Sequence, residues 1–320
     1  MAGYVLQRLA QAAFLLVGVV VLTFVLIHAA PGDPIYALAG ESGDAAYYAE
    51  MRARYGLDRP LLEQLAIYVT SVLRGDFGHS YVQKQPVFQI ILTRLPATLL
   101  LLTTALVLAT SLGVWLGAEA GRRAGHPVDA TIRTGTLLSY STPAFWLGQI
   151  LSLIFTAWLG WLPAQGMTSA RGDYQGLAYV ADVARHLVLP ATTLGLLQLA
   201  LIARLTRAGV REALQEDYTR TARAKGAPTR RVLYGHALPN ALLPVVTVVG
   251  GQIGTLLTGA VLTEIVFAWP GLGRLLYDAT LSRDYPLLMG IFELTAIAVV
   301  LVNLTTDVLY TTLDPRVRYR

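Results

Sequence analysis

Side chains able to do chemistry are sparse in this sequence, and their spacing excludes most of it. Five histidines, His28, His79, His126, His186 and His236, are scattered, with no His-Glu-x-x-His or other metal-ligand spacing. There is no cysteine, so disulfides and thiol chemistry are excluded. A phosphate-binding loop needs Gly-Lys-Ser/Thr. Lys84 is followed by Gln85 and Lys225 by Gly226, so the chain has no such loop of its own. Two patterns remain. Glu293 and Asp307 stand inside an apolar run, where an ionisable group is a functional candidate by default. They could form a proton relay, although protonation or a hydrogen bond to a neighbouring helix serves Glu293 equally well. The second pattern is Glu212–Pro239, EALQEDYTRTARAKGAPTRRVLYGHALP, a charged, glycine-hinged segment between two long apolar runs. It is too polar to cross a bilayer and reads as a surface held by a soluble partner.

The elements that must position these residues are apolar. The chain has 320 residues, 54% hydrophobic and 14% charged, whereas a soluble domain carries about 25% charged residues. Six runs qualify as spanning helices: 9–30, 95–118, 134–162, 187–206, 241–263 and 286–310. A helix satisfies its own backbone hydrogen bonds, which an apolar segment in lipid requires. The first run has 22 residues without a charge and no small-x-small cleavage site. It is long enough to span roughly 30 Å of hydrocarbon and reads as a signal anchor. The fourth run is the weakest, with Arg204 and Arg207 able to snorkel at its end. The organisation expected is a signal-anchor helix over 1–30, an extracytoplasmic insertion over 31–94 and a five-helix core over 95–320. That core carries a cytoplasmic loop at 207–240.

Orientation follows from the basic residues. With both termini in the cytoplasm, the inner segments hold fifteen arginines and lysines in 69 positions, the outer ones ten in 109. That bias is the positive-inside pattern. The net charge of +5 therefore reports topology, and nucleic-acid binding loses its support. Gly113 and Gly117 are four apart, as are Gly250 and Gly254. Such pairs let backbones approach, either within the chain or at a subunit interface.

Two outer segments carry signals. Leu61–Leu73 is amphipathic at helical spacing, a cap on the membrane surface or a platform for an external protein. Trp269-Pro270-Gly271-Leu272-Gly273 forces a tight turn with an interfacial tryptophan, and Glu264 before it lies where a carboxylate still reaches water. Glu264, Trp269, Pro270, Gly271 and Gly273 are therefore candidates for an outer gate or dock.

The cytoplasmic segment divides into pieces. A helix over Tyr218–Lys225 has acidic residues before it and basic ones at its end, matching the helix dipole. Gly226 fits the left-handed position after it, and Thr229 can cap a second helix towards Leu238-Pro239. Ala222 and Ala224 are small enough for this helix to enter a partner's groove, with arginines at the rim. An interfacial helix on anionic lipid is the alternative.

At this point the sequence resembles a known family. Gly226, His236 and Leu238-Pro239 fall in register with the glycine and the Ile-x-Leu-Pro end of the EAA loop of binding-protein-dependent ABC importer permeases. Arg220-Thr221-Ala222 stand where Glu-Ala-Ala would be. The run Asp217-Tyr218-x-Arg220-Thr221-Ala222-Arg223-Ala224-Lys225-Gly226 is similar to the peptide and nickel branch. The same branch resembles this chain at His28 to Pro34, at Gly75-Asp76-Phe77-Gly78 with Ser80-Tyr81, and at Pro143-x-Phe145-Trp146-Leu147-Gly148. Further along, Phe267-x-Trp269-Pro270-Gly271-Leu272-Gly273, Arg283-Asp284-Tyr285-Pro286, Asn303 to Asp307 and Asp314-Pro315-Arg316 match as well. Glu293 lies outside that pattern.

The resemblance implies an all-α, six-helix type I ABC importer permease in a bacterial or archaeal cytoplasmic membrane, carrying no cofactor itself. It implies a heterodimer with a second, related permease, two cytoplasmic ATPases that bind ATP and magnesium, and an extracytoplasmic solute-binding protein. Residues 217–226 with His236, Leu238 and Pro239 would couple the chain to an ATPase. Di- or oligopeptides are the expected cargo, with nickel chelates or glutathione-like solutes as alternatives. A proton-coupled secondary transporter is the remote alternative.

Overall fold

The computed structural model describes residues 2–29, 44–54, 56–170, 172 and 174–313, and they are helical apart from loops and one isolated bridge between His79 and Pro86. In chain order the helices begin with α1 (Ala2–Ala29), α2 (Ala45–Arg54), α3 (Leu61–Leu73) and α4 (Val87–Arg122). Next come α5 (Pro127–Ser141), α6 (Ala144–Ser152) and α7 (Gly176–Ala213). The cytoplasmic loop contributes α8 (Asp217–Ala224), α9 (Thr229–Arg231) and α10 (Leu238–Ala241). Then follow α11 (Leu243–Val266), α12 (Leu272–Leu281) and α13 (Tyr285–Leu313). Wide π turns extend α6 over Leu153–Trp158 and join α9 to α10 over Val232–Ala237.

Among the described residues three helices are long and apolar enough to cross a membrane, α4, α7 and Tyr285–Val302 of α13. Two bent pairs raise that number to as many as five. The described apolar stretch of α1, Ala10–Leu26, is shorter. The run expected at 134–162 is not one straight helix: α5 and α6 meet at 107°. Pro143 causes the break. It cannot donate a backbone hydrogen bond, and it pushes the preceding Thr142 into an extended conformation, φ −90° and ψ 128°.

The chain divides into two compact units, one of residues 1–96 and 274–320 and the other of 97–273. In the first, α1 packs along α13 and against α3. Gly290 is obligatory there, because a methyl group on it would lie 2.4 Å from a Val87 carbon. Asp284, 1% exposed, anchors the loop after α3. It accepts hydrogen bonds from the Ser80 hydroxyl, the Tyr81 amide at 3.0 Å and the Val82 amide at 3.2 Å. Ser80-Tyr81 and Arg283-Asp284, separate in the sequence, are thus one contact. Residues 30–43, which include part of the His28–Pro34 stretch, lie outside the described residues, as do 314–316.

The second unit is built around α7. Gly113 and Gly117 do serve packing within the chain, and Gly121 extends the row. A methyl group on Gly117 would lie 2.5 Å from the Ala203 carbonyl oxygen, one on Gly113 2.8 Å from Ile202, and one on Gly121 2.9 Å from the Arg207 carbonyl oxygen. The helices touch backbone to backbone, which the absence of side chains allows. The surroundings of Gly254 lie outside the described residues. Above the glycines, Leu101, Ala105, Leu187, Leu194, Leu256 and the Trp269 ring form a continuous apolar core. Gly148 of α6 meets the ring of Phe267, which would lie 3.0 Å from a methyl group there, and this joins two more of the motifs.

Replacing Gly117 with valine should cost about 3 kcal/mol of stability, since overpacking forces backbone shifts. Gly135, where a methyl group would have no neighbour within 4 Å, should accept alanine without loss. Thermal unfolding of the purified protein in detergent checks both. Equal melting of Gly117→Val and wild type would contradict the α4–α7 contact.

Candidate functional site

The charged segment after α7 folds as a helix, a reversal and a return. Asp217 in the first turn of α8 and Arg223 in its last match the helix dipole. Gly226 has φ +80°, the left-handed region that glycine adopts without strain. Its amide donates to the Arg223 carbonyl at 2.9 Å, and the Ala227 amide reaches back to the Ala222 carbonyl at 3.1 Å. Those two bonds close the helix end. Space around Gly226 is open, so the constraint is on its backbone alone. The second helix starts one residue differently from expectation: Pro228, not Thr229, occupies the capping position, and Thr229 is the first helical residue.

One face of α8 belongs to its own chain. Thr219, fully buried, donates its hydroxyl to the Glu216 carbonyl at 2.8 Å and the Leu214 carbonyl at 3.0 Å. Ala222 is buried beside it and meets the surface only at the edge of a depression, so of the two small residues Ala224 is the one on the exposed side. Asp217, Tyr218, Arg220, Thr221, Arg223, Ala224 and Lys225 are exposed. Tyr218, Thr221, Lys225, Gly226, Arg231 and His236 edge a depression of about 410 Å³. His236 and Pro239 are exposed and Leu238 is half-buried. All the residues singled out in this segment therefore lie within one continuous structure, with its charged face exposed and Arg220 donating to Asp217 across it at 3.3 Å.

The return strand of the segment reaches the ends of the long helices. Leu233, 1% exposed, packs with Ala118 of α4, Val210 of α7 and Ala241 of α10, and with Leu214 and Leu238 at the edge. Gly209 permits close passage, since a methyl group there would lie 3.0 Å from the Ala241 carbonyl oxygen. The segment that follows α8 is thus packed onto the ends of α4 and α7. Leu233, Val210 and Thr219 carry no signal in the sequence, because nothing local to them says what they touch. Nearby, Asp129 at the start of α5 takes Arg207 in a two-pronged ion pair, 2.6 and 2.7 Å.

The candidate outer site differs from expectation. Glu264 does not reach water: it is fully buried. Its carboxylate accepts from the Thr98 hydroxyl at 2.8 Å and from the Gly273 amide at 2.7 Å. The Thr98 oxygen in turn accepts from the Leu272 amide at 2.8 Å. Gly271 is needed because the carboxylate fills the space a side chain would occupy, 2.1 Å from an added methyl, and Gly273 because an added methyl would lie 2.5 Å from the Val261 Cα. Trp269 is also fully buried, not interfacial, and donates its indole N–H to the Ala97 carbonyl at 2.8 Å. The turn 269–273 is thus a buried polar latch, with Pro270 half-buried, and its side chains form no open dock. Thr98 was invisible in the sequence, one threonine among many in an apolar run.

Glu293, 2% exposed, accepts a hydrogen bond from the Tyr68 hydroxyl of α3. The amphipathic helix therefore does not simply cap the surface, since one of its residues grips a carboxyl about two turns into α13. Burial, then the Glu293 charge, pushes the Tyr68 phenol up, which keeps it a donor. Asp307 falls in α13, but its side chain lies outside the described residues. No group of three or more metal-ligating side chains occurs among the described residues.

Two family models match: the binding-protein-dependent transport system inner membrane component over residues 109–319 and the N-terminal component of the same systems over residues 1–102. The di/tripeptide transport system permease of Pseudomonas aeruginosa is 42% identical over 335 residues, covering all of both chains. The glutathione transport system permease of Salmonella choleraesuis is 41% identical over 320 residues, again covering both completely. A solved structure of an amino acid ABC transporter with histidines shares the fold at TM-score 0.51 and 14% identity, over 72% of this chain and 95% of that one.

Replacing Glu264 with alanine should strand the Thr98 hydroxyl and the Gly273 amide without their acceptor. Each stranded group costs about 1–3 kcal/mol. Glu264→Gln, which keeps one acceptor oxygen, should lose less. Unfolding temperatures in detergent rank the three proteins, and an alanine variant as stable as wild type would contradict the latch.

Proposed function

The chain belongs to the family of binding-protein-dependent transport system inner membrane components, and on that premise we propose that it imports di- and oligopeptides by moving with an ATPase that grips α8. It is a permease subunit of an ABC importer in the inner membrane and not itself a catalyst. We place both termini in the cytoplasm and count six spans, taking α1, α4, the α5–α6 pair, α7, α11 and α13 as the crossings. The inner excess of arginine supports that orientation. The 31–94 segment is then extracytoplasmic, and 207–240 is the cytoplasmic coupling loop of a five-helix core over 95–320.

The observation that carries the coupling reading is the two-sided character of α8. Its inner side is fastened by Thr219 and Ala222 and joined through Leu233 to α4 and α7. Its outer side offers Asp217, Tyr218, Arg220, Arg223 and Lys225 to a partner. A helix free on both sides would transmit nothing. Buried on both sides, it would receive nothing. Two cytoplasmic ATPases would bind ATP and magnesium, a second homologous permease would complete the pathway, and a solute-binding protein would deliver cargo outside. Closure of the ATPases would pull α8, shift the Leu233 contact and turn the long helices outward. Where the usual EAA loop has a glutamate, Arg220 here would meet an acidic group on the ATPase.

The identity to the Pseudomonas di/tripeptide permease favours short peptides. Glutathione is the second reading, since it is itself a tripeptide-like solute and a glutathione permease is equally similar. The buried latch at Glu264 and Trp269 serves in this scheme as part of an outer gate, with Pro270, Gly271 and Gly273 forming its turn.

Gly226→Val should lower peptide uptake about tenfold while the complex still assembles and hydrolyses ATP. A β-branched residue at φ +80° costs roughly 1–2 kcal/mol and misaligns the loop. Gly226→Asn, which tolerates that conformation, should retain more uptake. Labelled-dipeptide uptake with parallel ATPase assays measures the effect, and wild-type uptake by Gly226→Val would sink the proposal.

A further inference from the structure

Beside the Asp129–Arg207 ion pair, α5 and α7 enclose a cavity of about 680 Å³. The two helices run antiparallel there, because Arg207 meets Asp129 while the Ser139 hydroxyl reaches the Leu196 carbonyl at 3.3 Å. Four arginines line the cavity, Arg133, Arg204, Arg207 and Arg211, with no acidic residue in its wall. Arg207 is taken by Asp129. Among the described residues, neither Arg204 nor Arg211 has an ion-pair partner, and both are exposed. An aligned row of guanidinium groups with one carboxylate between them attracts an anion.

The apolar part of the wall is graded in the same direction on both helices. Arg133 leads to Leu137 and Tyr140 along α5, and Arg211, Arg207 and Arg204 lead to Leu201 and Ala200 along α7. Leu137 is 65% exposed and Tyr140 63%, so this end is open and greasy. Charge thus sits at one end of the cavity and apolar surface at the other. A free anion uses only the charged end. An amphiphile uses both, and in the orientation proposed above the charged end faces the cytoplasm, at headgroup depth.

We propose that this cavity binds an anionic phospholipid of the inner leaflet, its phosphate held by Arg204, Arg211 and Arg133 and its acyl chains lying along Leu137, Tyr140 and Leu201. The inference rests on the proposed orientation. Such a lipid would bridge α5 and α7 just beyond the ends that the coupling segment moves, so its occupancy would tune how those helices respond.

The test uses the assembled transporter in detergent, with binding of phosphatidylglycerol and phosphatidylcholine followed by native mass spectrometry. Each guanidinium near a lipid phosphate contributes about fivefold in affinity. The triple variant Arg133→Gln, Arg204→Gln, Arg211→Gln should therefore bind phosphatidylglycerol roughly 100-fold more weakly, with phosphatidylcholine binding unchanged. Arg207 is left in place so that its ion pair still supports folding, and the double variant Arg204→Gln, Arg211→Gln should give an intermediate loss. Equal wild-type affinity for the two lipids would overturn the proposal. So would undiminished phosphatidylglycerol binding by the variants. Displacement of the lipid by equimolar inorganic phosphate would make this a free-anion site, and displacement by a dipeptide would make it part of the transport path. Binding in detergent does not depend on orientation, so its failure leaves the reading of the chain as an importer permease intact.

Discussion

The backbone of α4 lies directly on the backbone of α7 at Gly113, Gly117 and Gly121, and unit two is arranged around the helix that this contact holds. Lipid gives no hydrophobic drive for two apolar helices to associate, so close dispersion contact must supply it. Glycine provides that contact by removing everything between the two main chains. Once α7 is placed, its other faces are taken in turn. Asp129 of α5 clamps Arg207, and Val210 and Gly209 receive Leu233 and Ala241 of the returning cytoplasmic segment. A movement imposed on that segment meets a stiff pair of helices and not a loose bundle.

Buried carboxylates do the remaining positioning, and each is satisfied by short-range donors. Glu264 draws Thr98 and the 271–273 turn together, while Asp284 collects three donors from residues 80–82. Asp182 holds the loop before α7 through the Ser169 amide and hydroxyl, both at 2.7 Å. A buried acceptor left without donors costs far more than a satisfied one returns, so such nodes tolerate few residue types. Glu293 is the exception. One of its oxygens takes Tyr68, and the other is buried without a partner among the described residues.

Much of this was legible in the sequence. The apolar runs, the left-handed glycine at 226, the dipole-matched helix at 218–225, found at 217–224, and the family motifs all follow from local chemistry. The break of the third run was legible only in part: Pro143 was seen as a motif residue, but its 107° consequence needs the geometry on both sides. Partnership was not legible at all. Nothing local says that Ser80 meets Asp284 or that Gly148 exists to admit the Phe267 ring. The errors at Glu264 and Trp269 share one origin. Position along the chain does not set exposure, because tertiary contacts bury residues wherever a turn folds back.

The central claim is that the exposed side of α8 is held by an ATPase while its inner side drives the long helices. Because the chain has no cysteine, a single Ala224→Cys substitution gives one reactive thiol on the exposed side. Crosslinking it in the assembled complex, with and without ATP, tests the claim most directly. The account predicts a product that joins this chain to an ATPase subunit and changes in yield when nucleotide closes the ATPases. A thiol that remains freely labelled by a water-soluble reagent, and crosslinks to no ATPase in either condition, would contradict it.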